Sequence, residues 1–150
     1  MNTALKYCLS TALLVLPPCA FAQEGGSHWC NLPQAHPLDV AFAQAIARSG
    51  GVTAAMRDAQ GEAYLGWDGE LNRFYREVMS QLDGNVRAIA LRKAQRAWLA
   101  WDAAEAESDG AFVADEGTSG PLGVADQAIA RRRARACTLH DLLEAPPDAR

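Results

Sequence analysis

Apolar residues return at three- and four-residue intervals through most of the chain, and no segment shows the two-residue alternation of a strand. The longest stripe is Met56, Gln60, Ala63, Trp67, Leu71, Phe74, Val78 and Leu82. It predicts one continuous helix of roughly eight turns. Thr53 stands where its hydroxyl can cap the start of that helix. Gly61, Gly66 and Gly69 interrupt it, at a cost of about 1 kcal/mol each relative to alanine. Close approach of another backbone beside Trp67 is the reading that best accounts for them. A shorter stripe, Leu38, Phe42, Ala45 and Ile46, predicts a helix over 38–48, with Pro37 at its start and Ser49-Gly50-Gly51 at its end.

Asp83-Gly84-Asn85 is a tight connection, with Asn85 as the cap of a third helix that returns antiparallel to the second. Its buried side is expected to be Val86, Ile89, Ala90, Ala94, Ala97, Trp98 and Trp101, while Leu91, Gln95 and Trp98 share a second face. Gly110 is expected to end or interrupt this helix, and 110–123 reads as an acidic loop. Leu122, Ala125, Ile129, Arg132, Ala136, Leu139 and Leu143 then step by three and four through a last helix. Arg132 falls on that seam, where it must reach water or meet a carboxylate. The expected fold class is all-α, a small antiparallel bundle of about four helices centred on the long hairpin from Trp67 to Trp101. Asn72 and Gln95 place amides in its apolar stripes, and are read as structural groups that lock the two helices together.

The ends of the chain set the context. Residues 1–22 read as an export signal: Lys6, an apolar run from Cys8 to Leu16, Pro17-Pro18, and Ala20-Phe21-Ala22 at the cleavage site. The run is too short for a stable membrane span. Pro18 stands where a lipidation signal needs Gly, Ala or Ser, which argues against Cys19 as a lipid anchor. Residues 23–37 then form an extended lead-in, 38–143 the helical domain and 144–150 a tail. A periplasmic or secreted protein is the expectation.

Charge and cysteines narrow the partners. The net charge of −4 becomes one unit more acidic once Lys6 is removed, which argues against nucleic acid and permits a basic partner. Cys8 and Cys19 leave with the signal. Cys30 and Cys137 remain, and in an oxidising compartment they suggest one disulfide.

The titratable residues assemble no catalytic set. His28, Cys30 and His36 match no closed metal-ligand pattern, so no metal and no cofactor is expected. Asp68 and Glu70 are two residues apart on a helix and point to different sides, so they cannot flank one bond. His140 lacks a nucleophile and stands in the last turns of a helix, where it suits the dipole. The cluster Arg131-Arg132-Arg133-Ala134-Arg135 is expected to pair with acids such as Asp68, Glu70 or Glu105. Asp68 with Arg135 is the specific bidentate pairing to look for. A non-enzyme is expected.

Two motifs carry more information. Trp67-Asp68-x-x-Leu71-Asn72-x-x-Tyr75, followed by Leu91-x-x-x-Gln95-Arg96-x-Trp98-Leu99, resembles the LprI-type lysozyme-inhibitor domain. Gly117-Thr118 and Arg133-x-Arg135-x-x-x-Leu139 fit the same pattern. Relatives commonly carry an arginine where Asp102 stands here, and cysteines near the positions of Ala59 and Ala106. The disulfide between Cys30 and Cys137 would therefore differ from the familiar one. The resemblance implies an exported all-helical protein and, for the namesake group, inhibition of lysozyme. A lysozyme-type hydrolase is the implied partner; the alternative is an accessory or immunity-type envelope protein with another partner. From charge and expected exposure, rather than from the resemblance, Glu105, Glu107, Asp109, Asp115 and Glu116 are the expected contact region.

Overall fold

The computed structural model describes residues 30–145 except 31, 83 and 85. The export signal, the start of the lead-in, the cap at Asn85 and the end of the tail lie outside those residues. Four helices follow in order: α1 (Pro37–Arg48), α2 (Thr53–Gln81), α3 (Val86–Phe112) and α4 (Ser119–Glu144). The architecture is all-α, as the spacing of apolar residues requires.

Local chemistry sets the helix ends. Pro37 occupies the first turn of α1, where its missing N–H costs nothing. His36 caps the helix by accepting from the Leu38 N–H through Nδ1 at 3.2 Å. Ser49 closes it, its hydroxyl donating to the Ile46 carbonyl at 2.7 Å. The chain then turns through Gly50 and Gly51 at φ of 56° and 82°. Thr53 is not the cap of α2: Val52 takes that position, and no side chain bonds the first turn. The α2–α3 connection turns on Gly84 at φ 67°, a left-handed conformation that glycine adopts without strain.

The long stripe of α2 is buried as its spacing predicts. Trp67 is fully sealed, and Gln60, Ala63, Leu71, Phe74, Val78 and Leu82 are buried along the same side. The opposing surface is α4, through Ile129, Ala136 and Leu139. Cross-links at Gln60–Asp126, Asp68–Arg132 and Phe74–His140 advance together along both helices, so α2 and α4 run parallel. Helix α3 runs antiparallel to α4, because Gln95 meets Arg135 while Asp109 meets Arg131. The hairpin supplies the connectivity, and α4 supplies the packing that holds it.

The glycines divide by environment. A methyl group on Gly66 would come within 2.6 Å of the Leu38 side chain, so α1 seats against α2 beside Trp67 through a side chain rather than a backbone. Gly61 and Gly69 face open space, and close approach does not explain them.

Helix α3 departs most from expectation. Val86, Ile89 and Trp101 are 77%, 60% and 47% exposed, and Ala90, Ala94 and Ala97 are also exposed. Trp98 turns inward as expected, and the inward side follows the second face, Leu91, Gln95 and Trp98, extended by Ala88 and Asp102. Two of these are polar, and arginines of α4 draw them inward, so an apolar count selects the wrong face. Gly110 does not end the helix, which continues to Phe112. The loop shrinks to 113–118, because Gly120, Pro121 and Gly123 belong to the start of α4. Pro121 fits there because N–H groups in a first turn have no helical acceptor. Gly120 is required, since a methyl group would come within 2.8 Å of the Val113 carbonyl.

Cys30 and Cys137 form a disulfide that joins the lead-in to α4 across a separation of 107 residues. Such a bond fits an oxidising compartment. Among the described residues, no helix is long and apolar enough to cross a membrane.

Candidate functional site

The arginines of α4 organise the interior electrostatics. Arg132 is buried on the seam. It donates to Asp102 at 2.8 Å, lies 3.3 Å from Asp68 Oδ1, and stacks 4.0 Å above the Tyr64 ring. Arg131 donates to Asp102 at 2.8 Å and to Asp109 at 2.6 Å. Burial works against its charge, yet the hydrogen bonds to Asp109 and Asp102 prevail and hold its pKa above the ordinary value. Arg133 pairs with Asp39 of α1 at 2.9 Å. These contacts are structural: each cation meets a carboxylate from another helix.

Arg135 differs from its neighbours. Its partner is the neutral oxygen of Gln95 at 2.9 Å, and burial pushes its pKa down. The expected Asp68–Arg135 pairing is therefore absent, and Arg132 takes Asp68 instead. Glu70 pairs with Arg73 of its own helix at 2.6 Å, a bond that raises the arginine's pKa.

The motif residues separate into two sets. Trp67 and Leu71 are core, Leu91 and Trp98 pack against it, and Gln95 joins α3 to α4. Gly117, at φ 62°, lets the chain turn before α4, and the exposed Thr118 precedes that helix without a side-chain cap bond. Arg133 and Arg135 tie α4 to α1 and α3. Asn72 is not part of an interhelical lock. It is exposed, and its amide donates within α2 to the Asp68 carbonyl at 2.8 Å and to Asp68 Oδ2 at 2.9 Å.

The second set forms a groove. Asp68, Leu71, Asn72 and Tyr75 of α2 face Arg92, Gln95, Arg96 and Leu99 of α3 across about 290 Å³ of open space. Asn72 and Arg96, both exposed, carry the motif onto a surface. Arg92 has no place in the motif, and its role shows only when the helices are assembled.

Within the expected acidic contact region, Asp109 is half-buried and its carboxylate is engaged by Arg131. Glu107, Asp115 and Glu116 are exposed, and Glu105 is half-buried. Together these four give the α3 end and the 113–118 loop a negative surface. Among the described residues, no group of three His, Cys, Asp or Glu side chains could hold a metal ion. His36 lies against the Trp67 ring, 4.0 Å from Glu70, and His140 lies edge-on to Phe74.

No curated protein and no solved structure matches the chain. The family model described as "Lysozyme inhibitor LprI" matches residues 44–139, more than half of the sequence and the whole of α2 and α3. That span includes both motifs, the groove between them and most of α4, so the chain belongs to the LprI lysozyme-inhibitor family.

Proposed function

We propose that this protein binds a lysozyme-type muramidase outside the cytoplasm and occludes its cleft. Family membership over 44–139 is the observation that carries this reading. The disulfide between Cys30 and Cys137 supports the location, as do residues 1–22, which read as an export signal. The protein acts by contact rather than by chemistry of its own.

Glu105, Glu107, Asp115 and Glu116 form the negative surface that draws a cationic enzyme toward the end of α3. Complementary charge speeds encounter and sets orientation more than it sets final affinity. Their effect should weaken as salt shortens the reach of the field, to about 8 Å at physiological ionic strength.

Lysis of cell walls by a muramidase, followed by turbidity with purified mature protein titrated in, tests the proposal. Slowed lysis at micromolar protein is expected. Unchanged lysis with every muramidase class tried would sink it, and an affinity pull-down from envelope extract would then identify the partner of an accessory or immunity-type protein. Replacing the four glutamate and aspartate side chains by their amides should slow association and flatten its salt dependence.

A further inference from the structure

Arg92 and Arg96 are exposed on α3, one helical turn apart, and neither makes a hydrogen bond or ion pair among the described residues. The contrast with α4 is sharp, where Arg131, Arg132 and Arg133 each hold a carboxylate. The groove's own acid does not answer them. Asp68 Oδ2 accepts from Asn72, and its Oδ1 faces Arg132. Two guanidinium groups thus border one groove with their charge unanswered by a carboxylate among the described residues.

Their spacing has a chemical match. Side chains one turn apart on a helix start about 5–6 Å from each other. Glycoside hydrolases cleave between two carboxyl groups that stand about 5–9.5 Å apart. Arginine presents a planar fork suited to a carboxylate, so neighbouring arginines can each take one member of such a pair.

The rest of the face continues the argument. Arg92, Arg96, Leu99, Ala103 and Glu107 advance by four, three, four and four, and so share one exposed side of α3. Cations occupy one end of that stripe, and an acid lies about 16 Å further along. A partner that fits must place acids opposite the arginines and cations opposite Glu107. A basic muramidase with a catalytic acid pair in its cleft has that polarity.

We infer that the α2–α3 groove is the occluding surface, with Arg92 and Arg96 paired to the two catalytic carboxylates of the muramidase. The inference rests on the proposed function and names the contact that performs it. It assigns the acidic end of α3 to encounter and the arginine pair to inhibition.

A double-mutant cycle tests it, by calorimetric titration of the mature protein and its Arg92→Gln/Arg96→Gln variant. Each is titrated into a muramidase and into an enzyme variant with both catalytic carboxylates replaced by amides. The wild-type protein should bind the amide enzyme about tenfold or more weakly than the native enzyme. The arginine variant should lose about as much on the native enzyme, and little further on the amide enzyme. Its circular dichroism melt should match wild type, because the exposed arginines make no hydrogen bond or ion pair among the described residues. Losses that simply add would overturn the inference while leaving the function standing. Absence of binding by the wild-type protein to any muramidase would overturn both.

Discussion

Arg132 donates from Nη1 to Asp102 Oδ2 at 2.8 Å, and both residues are buried between α3 and α4. Asp102 holds two cations at once, since its other oxygen accepts from Arg131. Attraction between the three groups offsets their desolvation only while the set is complete. Asp102→Asn keeps the shape and removes the charge, leaving Arg131 only Asp109 and Arg132 only Asp68 as carboxylate partners. The expected loss is about 1.5–3 kcal/mol, read as a lower urea midpoint. An Asp102→Arg substitution should be worse, because it places a third guanidinium beside the other two.

The amides Asn72 and Gln95 should separate cleanly. Gln95 is buried and accepts from Arg135, whose guanidinium has no carboxylate partner among the described residues. Gln95→Ala strands that cation and should lower stability by about 1–3 kcal/mol. Asn72 is exposed and bonds only within its own helix. Asn72→Ala should stay within about 0.5 kcal/mol of wild type. Thermal melts of the two variants, followed by circular dichroism, make the comparison.

The Cys30–Cys137 bond closes a loop of 107 residues, which the chain-entropy argument values at about 4–5 kcal/mol. Reduction, or a Cys30→Ser/Cys137→Ser variant, should lower the denaturant midpoint correspondingly. Thiol titration of the oxidised mature protein under denaturing conditions should find no free sulfhydryl. Two free thiols would refute the pairing.

Acid should weaken the fold through His36. Burial disfavours the charged imidazole and holds its pKa below the ordinary 6.5, although Glu70 and Asp39 pull the other way. Protonation of Nδ1 would also end its acceptance of the Leu38 N–H. The unfolded chain therefore takes up this proton first as pH falls. The stability contributed by neutral His36 is present in full above about pH 6.5 and is lost as pH drops through the lower folded value. His36→Asn keeps a capping side chain and cannot titrate. Urea midpoints at about pH 8 and about pH 5 should differ less for this variant than for wild type.

Much of the bundle was legible along the chain because apolar periodicity survives without knowledge of neighbours. The stripe from Gln60 to Leu82 is buried as it reads, and so is the line through Ile129, Ala136 and Leu139. Helix α3 was not legible in the same way. Its inward face contains Gln95 and Asp102, residues that burial excludes unless partners exist. Those partners sit on another helix, Arg135 for Gln95, Arg131 and Arg132 for Asp102, and nothing in the local sequence of α3 reveals them. The same cause ties the half-buried Asp109 to Arg131, a partner that the sequence of α3 does not show.

The sequence by itself determined the helix count, the seam of α2 and the family, and suggested the disulfide, because periodicity, motif spacing and cysteine arithmetic are properties of one strand of text. Only the tertiary structure decided that α2 packs along α4 in parallel, that Asn72 faces solvent, and that Arg92 and Arg96 border a groove without an ion pair among the described residues. The physical reason is that the cost of burying a polar side chain depends on what stands opposite it. That opposing group is chosen by the fold, often from far along the chain.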